Sequence, residues 1–281
     1  MLYLDGRMVD PREARIDPRD RGFLLGDGLF ETMRAARGRV PFLDRHLDRL
    51  EAGAAVLGMP LPRARAALGD ACLEVLHANR LADRYAALRI TLSRGAGPRG
   101  LAPPTDPAPT LLIAAFAIAD AAPAPARAVI SGIRRNEHSP LSRIKSLSYL
   151  DSVLALREAR GRGAQEAILR NTAGRLACAS AANLFLVRNG ALLTPGLEEG
   201  VLPGITRGVL LEIARDLGIP AEQAGLPTSA LERTDEALLT NSLLGIRPIV
   251  EIGGERVGSG GPGPLARRLA RAYAERTHQT D

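Results

Sequence analysis

The sequence predicts a two-domain α/β (α+β) fold, and three observations support that prediction. At 281 residues, the chain is long enough to form two ordinary domains, each with its own core. Short strand patterns alternate with amphipathic helix patterns along its length. The stretch ADAAPAPARA contains prolines that exclude both a helix interior and a central strand. We therefore predict an N-terminal α/β domain over residues 1–118, a linker over residues 119–128 and a C-terminal β-rich domain over residues 129–281.

The N-terminal region begins with a pattern typical of a β-hairpin, because Asp5-Gly6 separates two short apolar runs. Apolar periodicity then predicts, in order, a strand from Leu29 to Ala36, helices from Asp44 to Leu57 and from Pro62 to Arg80, and strands from Tyr85 to Leu92 and from Thr110 to Ile118. The loop between the last two strands is long and rich in glycine and proline, so we expect it to be mobile.

The C-terminal region combines short strands, joined by turns, with three helices. The predicted strands are Val129 to Arg134, Glu166 to Leu169, Arg175 to Cys178, Asn183 to Val187, Ala191 to Thr194 and Glu236 to Thr240, with a further hairpin around Gly253-Gly254. The first predicted helix begins near Lys145, stops at Gly161 or Gly163 and carries an apolar stripe of Leu147, Leu150, Val153, Leu154 and Ala159. The other two run from Thr206 to Leu217 and from Leu265 to Arg276.

The composition argues against nucleic-acid and membrane proteins. The net charge is +6, but the arginines are spread along the chain and aromatic residues make up only 3% of it, so an anionic small molecule explains the charge as well. The longest apolar stretch reaches Asp120 too soon to span a bilayer. Cys72 and Cys178 form neither a disulfide framework nor a metal motif, and the histidines lack metal-ligand spacing. These features predict a cytoplasmic protein without a metal site.

Lys145 is the single lysine among 37 lysine and arginine side chains. On a solvated surface the two residue types exchange at little cost, because either one makes only weak ion pairs there. A primary amine differs in one respect, since it can lose its proton and attack a carbonyl, whereas a guanidinium stays charged. The alternative is that one lysine survived by chance. We interpret Lys145 as the best candidate nucleophile.

The residues GITR, from Gly204 to Arg207, open a predicted helix. Backbone amides at a helix start, together with the helix dipole, favour anions, and the Thr206 hydroxyl adds a donor. Most helix starts bind only water, so this motif alone is weak support for an anion site.

Several stretches together resemble the fold-type IV, branched-chain aminotransferase-like family of pyridoxal-phosphate enzymes. They are GDGLFETMR, FLDRHLDRL, RRNEHSPLSRIKSLSYLDSVLALREA, AANLFLVRNGALLTP, GVLPGITR and LLTNSLLGIRPIV, in the family's order along most of the chain. Within the family, RRNEHSPLSRIKSL and TNSLLGIRPIV look most like the aminodeoxychorismate lyases. The resemblance implies the two-domain fold of that family, pyridoxal 5'-phosphate as cofactor and a homodimer.

The resemblance also implies roles for individual residues. Lys145, carried by the predicted C-terminal domain, would be the Schiff-base lysine, and Arg49 would bind the cofactor phosphate, a task that suits a bidentate guanidinium. The further cofactor-binding residues implied by matching motifs are Ile205, Thr206 and Ser242, with Tyr149 one residue out of register for the phenolic oxygen. Phe30, in GDGLFETMR, is a candidate for contact with the substrate.

Cys178 departs from the family pattern. Relatives place a glutamate five residues before the asparagine of the A-N-L-F motif, where it keeps the pyridine nitrogen protonated, and here that position is Cys178. A thiol stabilises a pyridinium poorly unless it is ionised, so the cofactor should be a weaker electron sink. This disfavours amino transfer more than elimination. Two alternatives are a tolerated substitution and a protein that has drifted from catalysis while it keeps the cofactor.

The function implied is 4-amino-4-deoxychorismate lyase, with a small anionic substrate. The candidates for binding the substrate carboxylates are Arg99, ranked first because its loop could close over a cleft, and then Arg34 and Arg247. The first alternative is an aminotransferase acting on D- or branched-chain amino acids. The second is a non-catalytic binding protein, which would carry no chromophore.

Overall fold

In the computed structural model, which describes residues 1–279, the first 121 residues build a five-stranded sheet with helices packed on one face. Its elements are β1 (Leu2–Leu4), β2 (Arg7–Val9), α1 (Arg21–Leu25), β3 (Gly28–Ala36), α2 (Leu43–Leu57), α3 (Arg65–Ala78), β4 (Tyr85–Ser93) and β5 (Thr110–Ala117). The strand order is β2-β1-β5-β4-β3, so β3 is an edge strand. The predicted hairpin and helices of this region are confirmed.

Alternation along β3 and β4 explains which face of this sheet is covered. Leu29, Met33, Leu88 and Ile90 are at most 1% exposed and pack with α2 and α3 in one apolar cluster that also holds Cys72. Residues between them in sequence point to the other face of the sheet, because successive strand side chains alternate. That second face carries Phe30 and Arg89.

Residues 122–143 and 149–279 form the second unit. Its elements are β6 (Ala126–Arg135), α4 (Leu150–Gly161), β7 (Glu166–Asn171), β8 (Leu176–Ala179), β9 (Asn183–Arg188), β10 (Ala191–Pro195), α5 (Ile205–Asp216), β11 (Ala221–Ala224), β12 (Glu236–Asn241), β13 (Gly245–Ile252), β14 (Glu255–Arg256) and α6 (Pro264–Gln279). The sheet order is β11-β10-β9-β12-β13-β6-β7-β8. A pairing of Cys178 with Asn183 joins β8 back to β9 and closes part of this sheet into a ring.

The division into units differs from the prediction at two places. The first unit ends at Ala121 and β6 already begins at Ala126, inside the predicted 119–128 linker. More importantly, Ile144–Ser148 belongs to the first unit. Lys145 is therefore not carried by the second unit. The physical reason is a backbone pairing with β3, a long-range contact that apolar periodicity does not encode.

The helix after Lys145 also differs from the prediction. α4 begins at Leu150, five residues later than expected. Its expected apolar stripe is mostly exposed, since Leu150, Val153 and Leu154 are 74, 56 and 40% accessible. Ser152, Ala155 and Ala159 are buried instead. Small residues allow this helix to approach the sheet closely. The prediction was wrong because it placed the leucines, and not the small residues, on the buried face.

Across residues 1–279, the helices are all too short or too polar to cross a lipid bilayer.

Candidate active site

Lys145 lies in an extended segment that adds to the open edge of β3. The Lys145 carbonyl accepts a hydrogen bond from the Phe30 amide at 2.9 Å, and the Leu147 amide donates to the Gly28 carbonyl at 2.9 Å. Between them, Leu29 and Ser146 form an antiparallel bridge. These bonds fix the backbone at the Lys145 carbonyl and directly after it, so the side chain starts from a defined position.

The Phe30 ring contacts two cationic groups. The Lys145 Nζ is 4.1 Å from the ring centroid, and the Arg89 guanidinium carbon is 4.0 Å from it. Arg89 pairs with Thr32 across β3 and β4, on the same face as Phe30. The negative ring faces attract cations and orient both side chains. The predicted contact residue Phe30 and the lysine therefore meet, and Arg89, which sequence reasoning missed, lies close to them.

Arg49 is held by a buried carboxylate on the opposite face of β3. Glu31 is fully buried and accepts hydrogen bonds from Arg49 Nε at 2.8 Å and from a terminal nitrogen at 2.7 Å. His46 Nδ1 lies 2.7 Å from the same carboxylate. Burial opposes ionisation of Glu31, but the hydrogen bonds from His46 and Arg49 outweigh it and lower its pKa to about 2. Glu31 is therefore an anion that fixes one edge of the Arg49 guanidinium.

His46 is neutral in this arrangement. Burial lowers its pKa, and the positive charges of Arg49 and Lys145 act in the same direction, against the opposing effect of Glu31. A neutral imidazole can donate from only one nitrogen, so its Nδ1 carries the proton that is shared with Glu31. The expectation that His46 is structural agrees with this role.

In the second unit, α5 begins at Ile205 with Gly204 as its N-cap. Asn183, from the A-N-L-F motif, donates its side-chain amide to the Leu202 carbonyl at 3.0 Å. A Cβ at Gly204 would lie 1.9 Å from the Asn183 side-chain oxygen, so a larger residue there would displace the Asn183 side chain. The motif thus positions the helix start that GITR predicted.

Thr206 is buried at that helix start, with its hydroxyl 3.3 Å from the Tyr273 hydroxyl. Tyr273, on α6, also packs against Gly245, where a Cβ would meet its ring at 3.0 Å. Sequence reasoning missed Tyr273, and the only available signal was the scarcity of tyrosine. Hydroxyl groups and free amides at a helix start are suited to bind a phosphate.

Ser242 lies in the turn between β12 and β13, also in the second unit. The Asn241 side-chain oxygen accepts from the amides of Leu243 at 3.1 Å and Leu244 at 2.8 Å, which shapes the turn. Gly245 completes it with a φ of 63°. Tyr149 is the N-cap of α4 and half-buried. The predicted residues Ile205, Thr206, Ser242, Tyr149 and Cys178 thus all belong to the second unit.

Cys178 lies on β8 and is buried, with only 8% of its surface exposed. Burial raises the pKa of its thiol, an effect that Glu166 reinforces and Arg135 opposes. The thiol is therefore protonated at neutral pH. It cannot replace a carboxylate as a negative partner for a pyridinium.

The three arginines predicted for the substrate carboxylates are in different surroundings. Arg99 is exposed, and Arg34 is half-buried with its guanidinium 4.7 Å from the Tyr85 ring centroid. Arg247 Nε donates to the Ala124 carbonyl at 2.8 Å. None of these contacts tests their predicted role.

Comparison with known proteins identifies the family. The family model "Amino-transferase class IV" matches residues 28–252. The chain belongs to the class IV aminotransferases.

Individual relatives have different activities. A branched-chain-amino-acid aminotransferase of Methanocaldococcus jannaschii, an assignment that its name marks as provisional, is 34% identical over 98% of this chain and 95% of its own length. An aminodeoxychorismate lyase of Bacillus subtilis is 31% identical over 90% of this chain and 86% of its own length. The branched-chain aminotransferase of the archaeon Thermoproteus uzoniensis, solved with norvaline, superposes with a TM-score of 0.91 and 32% identity, covering 98% of this chain and 93% of its own.

Class IV aminotransferases are pyridoxal-phosphate enzymes, and the donor set of this chain fits that cofactor. Within the first unit, Lys145 offers a primary amine and Arg49 a guanidinium fixed by a buried carboxylate. Within the second unit, taken by itself, the start of α5 carries a buried hydroxyl at Thr206. An amine for an aldehyde and cations or amides for a phosphate are the groups this cofactor requires.

Proposed function

We propose that this class IV aminotransferase homologue is a 4-amino-4-deoxychorismate lyase that releases 4-aminobenzoate and pyruvate. The observation that carries the proposal is the single amine of Lys145, held by backbone pairing to β3 beside Phe30 and Arg89. We further propose that the protein acts as a homodimer in the cytoplasm.

Each residue has a stated task in this reaction. Lys145 would hold the cofactor and, once its amine is free, would take the proton from the substrate carbon that bears the amine. Electron withdrawal from that carbon is the chemistry that pyridoxal phosphate would supply when bound. The bond from the ring to the enolpyruvyl oxygen would then break with its electron pair on oxygen, the resulting enolate would take up a proton at carbon to become pyruvate, and the remaining ring would be aromatic 4-aminobenzoate.

Arg49, Ile205, Thr206 and Ser242 are the proposed phosphate ligands. Glu31 leaves Arg49 with a defined orientation, which reduces the entropy lost on binding. Arg89 is the strongest candidate for a substrate carboxylate because the structure places it against Phe30, as it does Lys145. Arg99, Arg34 and Arg247 remain the candidates from the sequence.

The protonated thiol of Cys178 favours elimination over amino transfer. In the family pattern, a carboxylate at this position keeps the pyridine nitrogen protonated, and the buried neutral thiol supplies no such charge. Elimination needs less electron withdrawal because the ring becomes aromatic.

The second candidate is a branched-chain aminotransferase. It is favoured by the Methanocaldococcus relative, which has the higher identity to this chain. One simple assay distinguishes the two functions. An aminotransferase converts its bound cofactor to the amine form when an amino acid is added alone, whereas a lyase releases pyruvate from aminodeoxychorismate.

The first experiment is an absorbance spectrum of purified protein loaded with pyridoxal phosphate, before and after borohydride, beside Lys145→Ala. We expect the wild-type protein to show a visible band that borohydride abolishes as it attaches the cofactor to the chain, and we expect the variant to lack both the band and the attached cofactor. Pyruvate release and amino transfer are assayed on unreduced wild-type protein from the same preparation. Absence of the band after cofactor addition contradicts the cofactor role of Lys145, and amino transfer without pyruvate release contradicts the lyase.

A further inference from the structure

The loop between β4 and β5, residues 94–109, is closed tightly at its base. The Gly95 carbonyl accepts a hydrogen bond from the Arg21 amide at 2.9 Å. Gly95 has a φ of 81°, and a Cβ there would lie 1.8 Å from the Ala108 carbonyl oxygen. Both ends of the loop are therefore drawn together at a position that only glycine can occupy.

The middle of the same loop is bound by one guanidinium. Arg21 donates to three successive carbonyls, those of Gly100 at 2.9 Å, Leu101 at 2.9 Å and Ala102 at 3.3 Å. Its side chain is only 5% exposed. A guanidinium presents several donors in a fixed plane, so it can define the path of three residues at once.

Arg21 is in turn fixed by a buried ion-pair cluster. Its Nε donates to Asp27 at 2.8 Å, and Arg94 Nε donates to the same oxygen at 2.8 Å. Arg94 also donates to the Leu57 carbonyl at 2.8 Å and the Gly58 carbonyl at 3.2 Å, at the end of α2. Although burial opposes ionisation, the two arginines lower the pKa of Asp27. The carboxylate is therefore charged at neutral pH and joins the loop to the helix.

We propose that Arg21, Asp27 and Arg94 form a clasp, in which Arg21 is a positioning residue that sets the conformation of the loop segment presenting Arg99 and Leu101. The exposed Arg99 directly precedes the three clasped carbonyls, and Leu101 is 83% exposed. The loop is thus preformed, in contrast to the mobile loop expected from its glycines and prolines. The assignment of a kinetic effect rests on the proposed function, whereas the clasp itself does not.

Trypsin tests the clasp directly, because the bond after Arg99 is followed by the three carbonyls that Arg21 binds. A protease needs several residues on each side of the bond in an extended, released conformation. In the cofactor-loaded protein, Arg21→Met should speed cleavage after Arg99 at least about tenfold. The reason is that losing even one hydrogen bond from a charged donor shifts the equilibrium between the bound and the released loop by about that factor. Mass spectrometry identifies the bond that is cut.

Two variants control this experiment. Arg19→Met removes a neighbouring arginine whose side chain is 74% exposed, and cleavage after Arg99 should stay at the wild-type rate. Arg21→Lys keeps the charge beside Asp27 but cannot reach three carbonyls, so its cleavage rate should lie between those of the wild type and Arg21→Met. If Arg21→Met does not fold, the lysine variant decides, and a wild-type rate in whichever variant is folded overturns the clasp.

Kinetics test the positioning role. With aminodeoxychorismate, or with an amino acid if the protein is an aminotransferase, Arg21→Met should raise KM several-fold more than it lowers kcat, because uniform binding is lost. Arg21→Lys should restore part of the KM. Faster cleavage with an unchanged KM overturns the positioning role. If the wild-type protein shows neither activity, the proposed function fails, and the cleavage rates still decide the clasp.

Discussion

Glu31 lies in the GDGLFETMR stretch, where no role was predicted for it, yet it is at the centre of the first unit's polar network. It is one of the few fully buried charged groups among residues 1–279, and it binds both Arg49 and His46. A buried carboxylate is tolerated only with such partners, since its desolvation costs several kcal/mol. Its neighbour Phe30 points to the opposite face of β3 and meets Lys145.

Glu31→Gln should weaken both folding and cofactor binding. The amide keeps the shape of the side chain but leaves the Arg49 charge without its buried partner, which costs about 3 kcal/mol of unfolding free energy. Urea unfolding measures this loss, and titration with pyridoxal phosphate measures the weaker affinity. Asp10→Asn removes the carboxylate of an exposed ion pair with Arg12 and should leave both quantities nearly unchanged. Wild-type cofactor affinity in Glu31→Gln would show that Arg49 needs no support from Glu31.

At the scale of single elements, the pairing between β3 and the segment around Lys145 depends on Gly28. A Cβ at Gly28 would lie 2.4 Å from the Leu92 carbonyl oxygen and 2.8 Å from a Leu147 methyl group. Both distances are too short for real atoms, and one of the contacts is with the backbone of the neighbouring strand. The edge of β3 can accept the lysine segment only with glycine here.

Gly28→Ala should therefore displace the segment from Lys145 to Leu147. We expect faster hydrogen exchange at the Phe30 and Leu147 amides and a smaller fraction of protein that carries the reducible cofactor band. The control is Gly132→Ala, a strand glycine whose Cβ would meet no atom within 4 Å. Equal exchange rates in the wild type and Gly28→Ala would contradict the displacement.

The elements that sequence predicts well are those whose signal is local. Strands and helices such as β3 and α2 agree with their predicted ranges to within one or two residues, because apolar periodicity and turn residues report local geometry. Lys145 could be selected from its uniqueness alone. Its extended conformation could not be predicted, since the partner strand is more than 100 residues away in sequence.

The contacts that Arg89 and Arg21 make could not be predicted for a related reason. Arg89 is one of many arginines, and only the pairing register between β3 and β4 places it on the face of Phe30. The short motifs GITR and ANLF were informative because each shapes a single turn or helix start. In contrast, Arg21 gave no local signal for its contacts with a loop about 80 residues away.

At the scale of the whole molecule, the buried titratable groups make the free energy of unfolding depend on pH. The pKa of Glu31 is lowered from 4.5 to about 2, and that of His46 is lowered from 6.5, both relative to the unfolded chain. Between the folded and unfolded pKa values, the unfolded state binds more protons for either group. Stability therefore rises with pH through both ranges and falls on acidification.

We expect the unfolding free energy of the wild type to fall as the pH drops below 6.5, first through His46, and again as it drops below 4.5 towards 2 through Glu31. His46→Asn should lack the first of these losses. Urea unfolding at pH 7 and pH 5 measures the difference. His138→Asn, at an exposed position, serves as the control and should keep the wild-type profile. A His46→Asn profile identical to the wild type would contradict the prediction.

The five residues from Ile144 to Ser148 have a consequence for recombination between relatives. They belong to the first unit although the chain on both sides belongs to the second. A chimera that joins the first 121 residues of one parent to the remainder of another would therefore match the β3 edge of one protein with the lysine segment of the other. Productive crossovers should keep residues 28–30 and 144–148 from the same parent, so Lys145 is inherited with a strand that lies far from it in the gene.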